Sequence, residues 1–497
     1  MTASEFNNSE TLKLKTLLRN CLIFSLFWHL AAAWFSIGYH QADEHFQILE
    51  FASWKMGTTP IQALPWEFAA RIRPAFQPSI VVFLQKYIVP WANPFQVSFL
   101  LRLFSGLLGF GALVFILLIN LKMISGYGSK RFLILITTFL WFVPYVHVHF
   151  SSDSISGSLF FIGLGCIFLG NDRQKNNLLA LGGFLIGLAF VCRFQTVFMI
   201  FGLALWCIFI ARMNMKALFT IGFTVLIAIL IGVLIDKWFY GEWVFTTWNY
   251  FKINVIEGKA SDFGTSPWYT YFTWNLVDMI PPFSVFIIAG IIYSLVKYKA
   301  NIFSITIIPF LLAHLFVAHK EARFLFPIIG AVPVLLALAY KDFVSEYFKA
   351  IKLKTISLNL FFVLSFIMMA ISSLKPASDR VGLYEYIYEH FNGHHATLLC
   401  QKDNPYNYFE RNYYFRPKDI LIVDSMSNKS IDSALNSKTT DPKLVLFSDL
   451  ENSNAFSSQH PGAKIVYSSF PNWIVNFNYF NWLSRTKLWV LFEIKVK

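Results

Sequence analysis

The stretch CLIFSLFWHLAAAWFSIGYHQADEHFQILE, Cys21–Glu50, changes character in its middle. From Cys21 to Gly38 it carries no Asp, Glu, Lys or Arg and is long enough to cross a bilayer as a helix. Asp43 and Glu44 follow at once. An acid pair set where a chain has just left hydrocarbon is either a solvated loop or a working site, and the rest of the sequence decides between the two.

The 497 residues are 56% hydrophobic and only 14% charged, too little charge to cover a soluble globule of this size. Apolar runs of membrane-spanning length recur from about residue 20 to 373. The chain is therefore read as a polytopic α-helical membrane protein with about eleven transmembrane helices. They fall near 20–38, 95–120, 132–149, 154–170, 177–192, 195–211, 217–235, 280–296, 302–318, 324–340 and 355–373. No small-residue cleavage site follows the first run, so it reads as a retained helix. The five cysteines are scattered, with neither a disulfide framework nor metal-ligand spacing.

Lys13, Lys15 and Arg19 make 1–19 a cytoplasmic tail. Every second connection is then short and basic: Lys122/Lys130/Arg131, Asp172/Arg173/Lys175, Arg212/Lys216, Lys297/Lys299 and Lys341/Lys349/Lys352/Lys354. This explains the net charge of +13 without invoking nucleic acid. An odd number of spans places 374–497 on the far side, the ER lumen or the periplasm. There "KLVLFSDL", "AKIVYSSF" and "WVLFEIKV" alternate with polar turns and predict a small mixed α/β soluble domain. The expected domains are thus 1–19, a membrane domain over 20–373 and a C-terminal domain over 374–497.

The far-side connections are unusual. The first, 39–94, holds Asp43, Glu44, Gln47, Glu50, Trp66, Glu67, Arg71 and Arg73. The loop 236–279 is crowded with aromatics, Trp268 and Tyr269 among them, as suits helices lying in the headgroup layer. A short one carries His319, Lys320, Glu321 and Arg323, and Arg193 sits at a tight turn. Cations on the far side oppose the topological bias, so an anionic ligand at that surface is the economical reason for them. "PWEFAARIRPAFQP" (65–78) reads equally as an interfacial helix with snorkelling arginines or as a phosphate clamp, since guanidinium fits phosphate in bidentate fashion. Three potential cations within "AHKEARFLFP" (318–327) fit an anion site better than flanking charge.

Together these groups suit sugar transfer from a polyprenyl phosphate. Breaking the sugar C1–O bond leaves negative charge on the phosphate, which cations stabilise most in the transition state. A carboxylate would take the acceptor's proton. Such a leaving group requires no metal and no cofactor, and no Asp-x-Asp of a nucleotide-sugar site is present. A lipid or solute transporter is the competing class. Against it stand the lack of internal repeats and the scarcity of charge within the spans.

The same residues resemble the GT-C superfamily, glycosyltransferase family 22, which uses polyprenyl-phosphate mannose and includes the GPI-anchor and ALG-type mannosyltransferases. "ADEHFQILE" (42–50) is similar to its Asp-Glu-x-x-Gln-x-x-Glu motif, and "HKEARFLFP" to its His-Lys-Glu-x-Arg-Phe…Pro signature. "PWEFAARIRPAFQP", "GLAFVCRFQT" (187–196) and "DKWFYGEW…FGTSPWYTYF" (236–272) follow in family order. The resemblance implies a GT-C fold and an inverting transferase forming an α-mannosidic bond. It implies Asp43 as base with Glu44 assisting, and Arg71, Arg73, Arg193, His319, Lys320 and Arg323 on the donor phosphate. Gln47, Glu50, Glu67, Trp66, Asp153, Glu321, Trp268 and Tyr269 would position substrate. Two departures stand out: Gln41-Ala42 replaces His-Pro, and HFSSDSIS (149–156) lacks the Arg and Glu of the corresponding family stretch. The second leaves the acceptor, and the sugar itself, open to a same-fold transferase of another sugar.

Overall fold

The computed structural model describes residues 3–346, 351–406, 412–414, 417, 419–436, 441–478, 481–483 and 486–494. Lys349, assigned above to a cytoplasmic connection, and Lys495 and Val496 of the last expected strand lie outside them. The chain divides into two compact units. One comprises Met1–Ser36, Pro65–Phe83 and Phe99–Lys375; the other comprises Ile37–Leu64, Leu84–Ser98 and Pro376–Lys497. The first connection is thus shared between them.

The first unit is helical, and all eleven apolar runs fall on helix. Six helices are long and apolar enough to span a bilayer alone: Glu10–Phe35, Pro94–Met123, Ser152–Asp172, Met215–Tyr240, Ala322–Phe343 and Thr355–Leu374. Tyr127–Phe139 and Phe142–Val148 form a pair bent by 52°, and Phe283–Lys297 and Ile302–Phe316 one bent by 111°. Asn176–Cys192 and Phe194–Ile210 are apolar but shorter. Met215–Tyr240 exposes Phe219, Phe223, Leu226, Leu230 and Leu234. Their three- and four-residue steps make one stripe of a helix, the face for lipid.

In hydrocarbon, apolar surface does not drive helices together, so close backbone approach at small residues must do it. The glycines of Asn176–Cys192 serve both its neighbours. A β-carbon on Gly182 would lie 2.7 Å from the Gly163 carbonyl oxygen. One on Gly183 would meet the Ile221 carbonyl oxygen at 2.5 Å, and one on Gly187 the Ala228 methyl at 2.6 Å. Helix 176–192 is therefore clamped between 152–172 and 215–240, which fixes where its last turn delivers Arg193. Gly157 and Gly330 do the same for another pair: a β-carbon on Gly157 would be 2.7 Å from the Pro327 oxygen, and one on Gly330 2.6 Å from the Phe161 ring. The segment Ala322–Ala331 is a 3-10 helix. Its rise of about 2 Å per residue carries 327 to 330 the same ~6 Å that four α-helical residues carry 157 to 161. Continued back one turn, that register sets Asp153 level with Phe324.

The second unit holds a five-stranded sheet of order β2-β1-β3-β5-β4, with β1 Ala396–Cys400, β2 Ile420–Val423, β3 Lys443–Phe447, β4 Lys464–Ser468 and β5 Val490–Ile494. β1 pairs in parallel with β2 and β3, while β5 runs antiparallel to β3 and β4. The last three are the strands expected from sequence; β1 and β2 are additional. Leu399, Val445, Phe447, Val490 and Phe492 pack with Ile431 and Phe456 of the covering helices. Trp489 is fully buried and its indole N–H reaches Asp379 at 3.1 Å. All five cysteines are buried free thiols. Burial pushes the Cys400 thiol well above its ordinary value, so it is a protonated core side chain.

The glycine clamp predicts that Gly163→Leu destabilises the protein by at least the cost of overpacking, about 1–3 kcal/mol. The thermal midpoint of detergent-purified protein should fall clearly below wild type; an unchanged midpoint would refute the clamp.

Candidate functional site

In the first unit, helix 152–172 begins at Ser151, whose hydroxyl oxygen accepts the Ser154 N–H at 3.1 Å. Asp153 in its first turn is fully buried. Its Oδ1 lies 2.9 Å from Arg193 Nε, and Arg193 itself is only 6% exposed. The Arg193 guanidinium stands 5.0 Å from the centre of the Phe324 ring, and that of Arg323 stands 5.5 Å from the same ring. Arg323 in turn grips Glu321 with both arms, Nε to Oε2 at 2.7 Å and Nη2 to Oε1 at 3.1 Å. His319 Nε2 shares Glu321 Oε1 at 3.1 Å. Two guanidiniums, an imidazole and two carboxylates thus surround one phenyl ring. Tyr271 completes the group: its buried hydroxyl is in the field of Arg193, Glu321 and Asp153, and burial pushes its pKa up, so it stays a neutral phenol.

Lys320 is buried and its ammonium is held by the backbone oxygens of Val317 and Ser266. Burial lowers its pKa. The loop that supplies Ser266 is fastened twice more, Ser266 N–H to the Ala318 oxygen at 2.8 Å and His319 Nδ1 to the Gly264 oxygen at 3.1 Å. Phe263 of this loop stacks on Trp66 with centroids 6.2 Å apart, and lies 6.1 Å from His319. Trp268 and Tyr269, 62% and 49% exposed, are at the loop's outer face.

Arg71 and Arg73 belong to the same unit. Arg71 has φ 53°, a conformation a β-carbon disfavours. It is held there by Glu242 at 3.0 Å, by the Phe68 oxygen at 2.6 Å and by the faces of Phe68 and Tyr240. Arg73 lies 3.8 Å from Glu67 and 5.8 Å from the Tyr250 ring centre. Tyr250 accepts a hydrogen bond from Gln195, two residues after Arg193. Asp236 ties this strap down, accepting the Ala75 N–H at 2.7 Å and the Thr246 hydroxyl at 2.8 Å. The expected phosphate-binding cations Arg71, Arg73, Arg193, His319, Lys320 and Arg323 are therefore linked through shared rings and loops within one unit. Each already has an anionic or carbonyl partner.

The expected acids Asp43, Glu44, Gln47 and Glu50 belong to the second unit. Asp43 is half-buried and precedes a π-helical segment, Glu44–Leu49. Glu44 Oε1 accepts the N–H groups of His40 at 3.2 Å and Gln41 at 3.3 Å. Glu50 is fully buried, bonded to His45 Nε2 at 2.8 Å, the Thr59 hydroxyl at 2.7 Å and the Tyr413 N–H at 3.0 Å. Asp153, also expected to position substrate, is the buried counterion of Arg193. Sequence reasoning missed Phe324, Tyr271 and Asp236. The apolar flank of the cationic motif could have suggested the first; the other two show only in three dimensions.

Residues 20–421 match the Alg9-like mannosyltransferase family. The chain belongs to this family. Among Alg9-like relatives, GPI alpha-1,2-mannosyltransferase 3 of Danio rerio is 35% identical over 103 residues, 21% of this chain and 19% of its own length. GPI mannosyltransferase 3 of Candida albicans is 24% identical over 348 residues, 68% of this chain and 67% of its own. A probable Dol-P-Man:Man(7)GlcNAc(2)-PP-Dol alpha-1,6-mannosyltransferase of Schizosaccharomyces pombe is 26% identical over 322 residues, 61% and 55% of the two lengths. The chain thus spans about a fifth of the first of these relatives and about half to two thirds of the others. Its fold is that of ArnT from Cupriavidus metallidurans in the apo state, with a TM-score of 0.51 at 11% identity over 98% of each chain. It is a GT-C membrane fold.

Removing one partner of a buried ion pair leaves the other uncompensated, at a cost of about 3–5 kcal/mol. Arg193→Ala should lower the thermal midpoint sharply, and adding Asp153→Ala should restore part of the loss. Additive losses in the double variant would show that the two residues act independently.

Proposed function

We propose that the chain is an inverting transferase moving mannose from a polyprenyl phosphate, dolichyl or undecaprenyl, to a hydroxyl of a lipid-linked glycan. The observation that carries this is the shared cluster of Arg193, Arg323 and His319 around Phe324, with Lys320 in the same short connection, in a chain of the Alg9-like family. Their present partners, Asp153, Glu321 and main-chain oxygens, hold them arranged for an incoming phosphodiester monoanion, whose second charge appears as the C1–O bond breaks. The donor phosphate exchanges carbonyl contacts at Lys320 for charge-assisted ones. Arg71 and Arg73 extend the same basic surface along the lipid, with Trp66, Glu67, Trp268 and Tyr269 beside the sugars.

In the reaction Asp43 takes the proton of the acceptor hydroxyl. The oxygen attacks the mannose C1, the C1–O bond breaks, and its electron pair stays on the phosphate. Attack opposite the departing phosphate converts a β-linked donor to an α-linked product. Glu44, with one oxygen committed to the His40 and Gln41 amides, orients the acceptor, and Gln47 lies on the same segment. The site faces the ER lumen or the periplasm, opposite the basic connections.

The test is transfer of radiolabelled mannose from dolichyl- or undecaprenyl-phosphate mannose to a lipid-linked acceptor by the purified protein. Movement of the intact donor across vesicles without cleavage would favour a transporter and overturn the proposal. Asp43→Asn should lower kcat on the order of a hundredfold, the scale of general-base loss, with donor binding kept. A near-normal rate would remove Asp43 from the role.

The pH dependence has a definite sign. Phosphate needs the Lys320 ammonium, whose pKa is lowered by burial. Donor affinity should fall as pH rises through that lowered pKa, below the ordinary lysine value, because the free protein then loses the charge. Lys320→Arg should flatten this alkaline limb of donor binding. An unchanged limb in that variant would place the titrating group elsewhere.

A further inference from the structure

We infer that the C-terminal domain sets the position of the acid-bearing segment, with Glu50 as the positioning residue through which it does so. This rests on the reading of Asp43 as base. The segment Glu44–Leu49 is π-helical, and its closing bond runs from the Glu50 N–H to the His45 oxygen. The side chains of the same two residues also meet, Nε2 to Oε1 at 2.8 Å.

That double closure selects the register. In an α-helix, at about 100° per residue, positions 45 and 50 would point about 140° apart and their side chains could not touch. Only the wider i→i+5 turn stacks one above the other. Loss of the pair lets the segment tighten by one residue per turn, which swings Asp43 and Glu44 by roughly 100° about the axis.

A π turn is rare, and here the C-terminal domain adds to its local closure. Its Tyr413 N–H bonds Glu50 Oε1 at 3.0 Å, a contact across 363 residues of sequence. Its Tyr414 ring stacks on His45 at 5.2 Å and 13°, and Tyr39 covers His45 at 5.3 Å. Phe95 backs Tyr414 at 5.3 Å. Ala377 and Ser378 donate to the Ile37 oxygen at 2.9 and 3.0 Å, fastening the start of the same stretch. Thr59 closes the remaining oxygen of Glu50. The tail thus grips the acid segment at its beginning and its end.

The test uses the full-length protein and two readouts. In the transfer assay Glu50→Gln should lower kcat tenfold or more with donor KM unchanged, and should cost nothing further in an Asp43→Asn background, because it acts through that acid. Hydrogen exchange needs no activity: Tyr414→Leu and Glu50→Gln should each speed exchange of the 44–50 amides at least tenfold and leave the sheet unchanged. Wild-type kcat in Glu50→Gln while Asp43→Asn is inactive sinks this inference and spares the proposed function. Wild-type kcat in Asp43→Asn sinks the base, and exchange then decides the positioning alone. Unaltered exchange in both variants overturns it.

Discussion

A charge cannot stay in hydrocarbon without a partner, and this protein's arrangement follows from that constraint. Its clustered cations each sit beside an acid or a carbonyl oxygen. Asp153 neutralises Arg193 at the start of a helix, and Glu321 neutralises Arg323 and His319 from within the same short connection. Buried pairs of this kind contribute little net stability, but breaking one is expensive. Phe324 keeps the two guanidiniums apart while offering each a π face, and its ring excludes the water that would screen them.

Geometry reaches this cluster through glycines. Clamping 176–192 between two helices leaves its last residue one place to go, and that place is beside Asp153. The contact of 152–172 with the 3-10 stretch 322–331 brings Phe324 to the same level. The membrane helices act less as a container than as a set of stops that align three chain segments. Because the stops are backbone-to-backbone contacts at glycine, they allow almost no sliding, and the cluster inherits that stiffness.

Much of this was legible in the sequence. Hydropathy marked the long apolar helices of the first unit, since the bilayer imposes a length on each one separately. The basic residues on the expected far side stood out by opposing the charge bias, and the structure links them within one unit. The tail strands 443–447, 464–468 and 490–494 showed through their β-branched and aromatic content. β1 and β2 did not, because "ATLLC" and "ILIV" are too short and too uniformly apolar to carry a period of two. The surroundings of Glu50 were not legible for a different reason. Its spacing from Asp43 and Gln47 is that of an exposed α-helical face, whereas the chain there is π-helical and the partner of Glu50 is 363 residues away. Pairings over such distances leave no local trace, and neither does a carboxylate's choice between a buried arginine and a substrate.

The aromatic loop is attached in a way that bears on how such a protein diversifies. Over 264–266, the hydrogen bonds to the cationic connection are made by main chain: the Gly264 oxygen, and the Ser266 oxygen and amide. Exchanging residues in that stretch removes none of these atoms unless proline takes the amide. That stretch can therefore change the shape and polarity of the side chains it shows while remaining tied to the same connection.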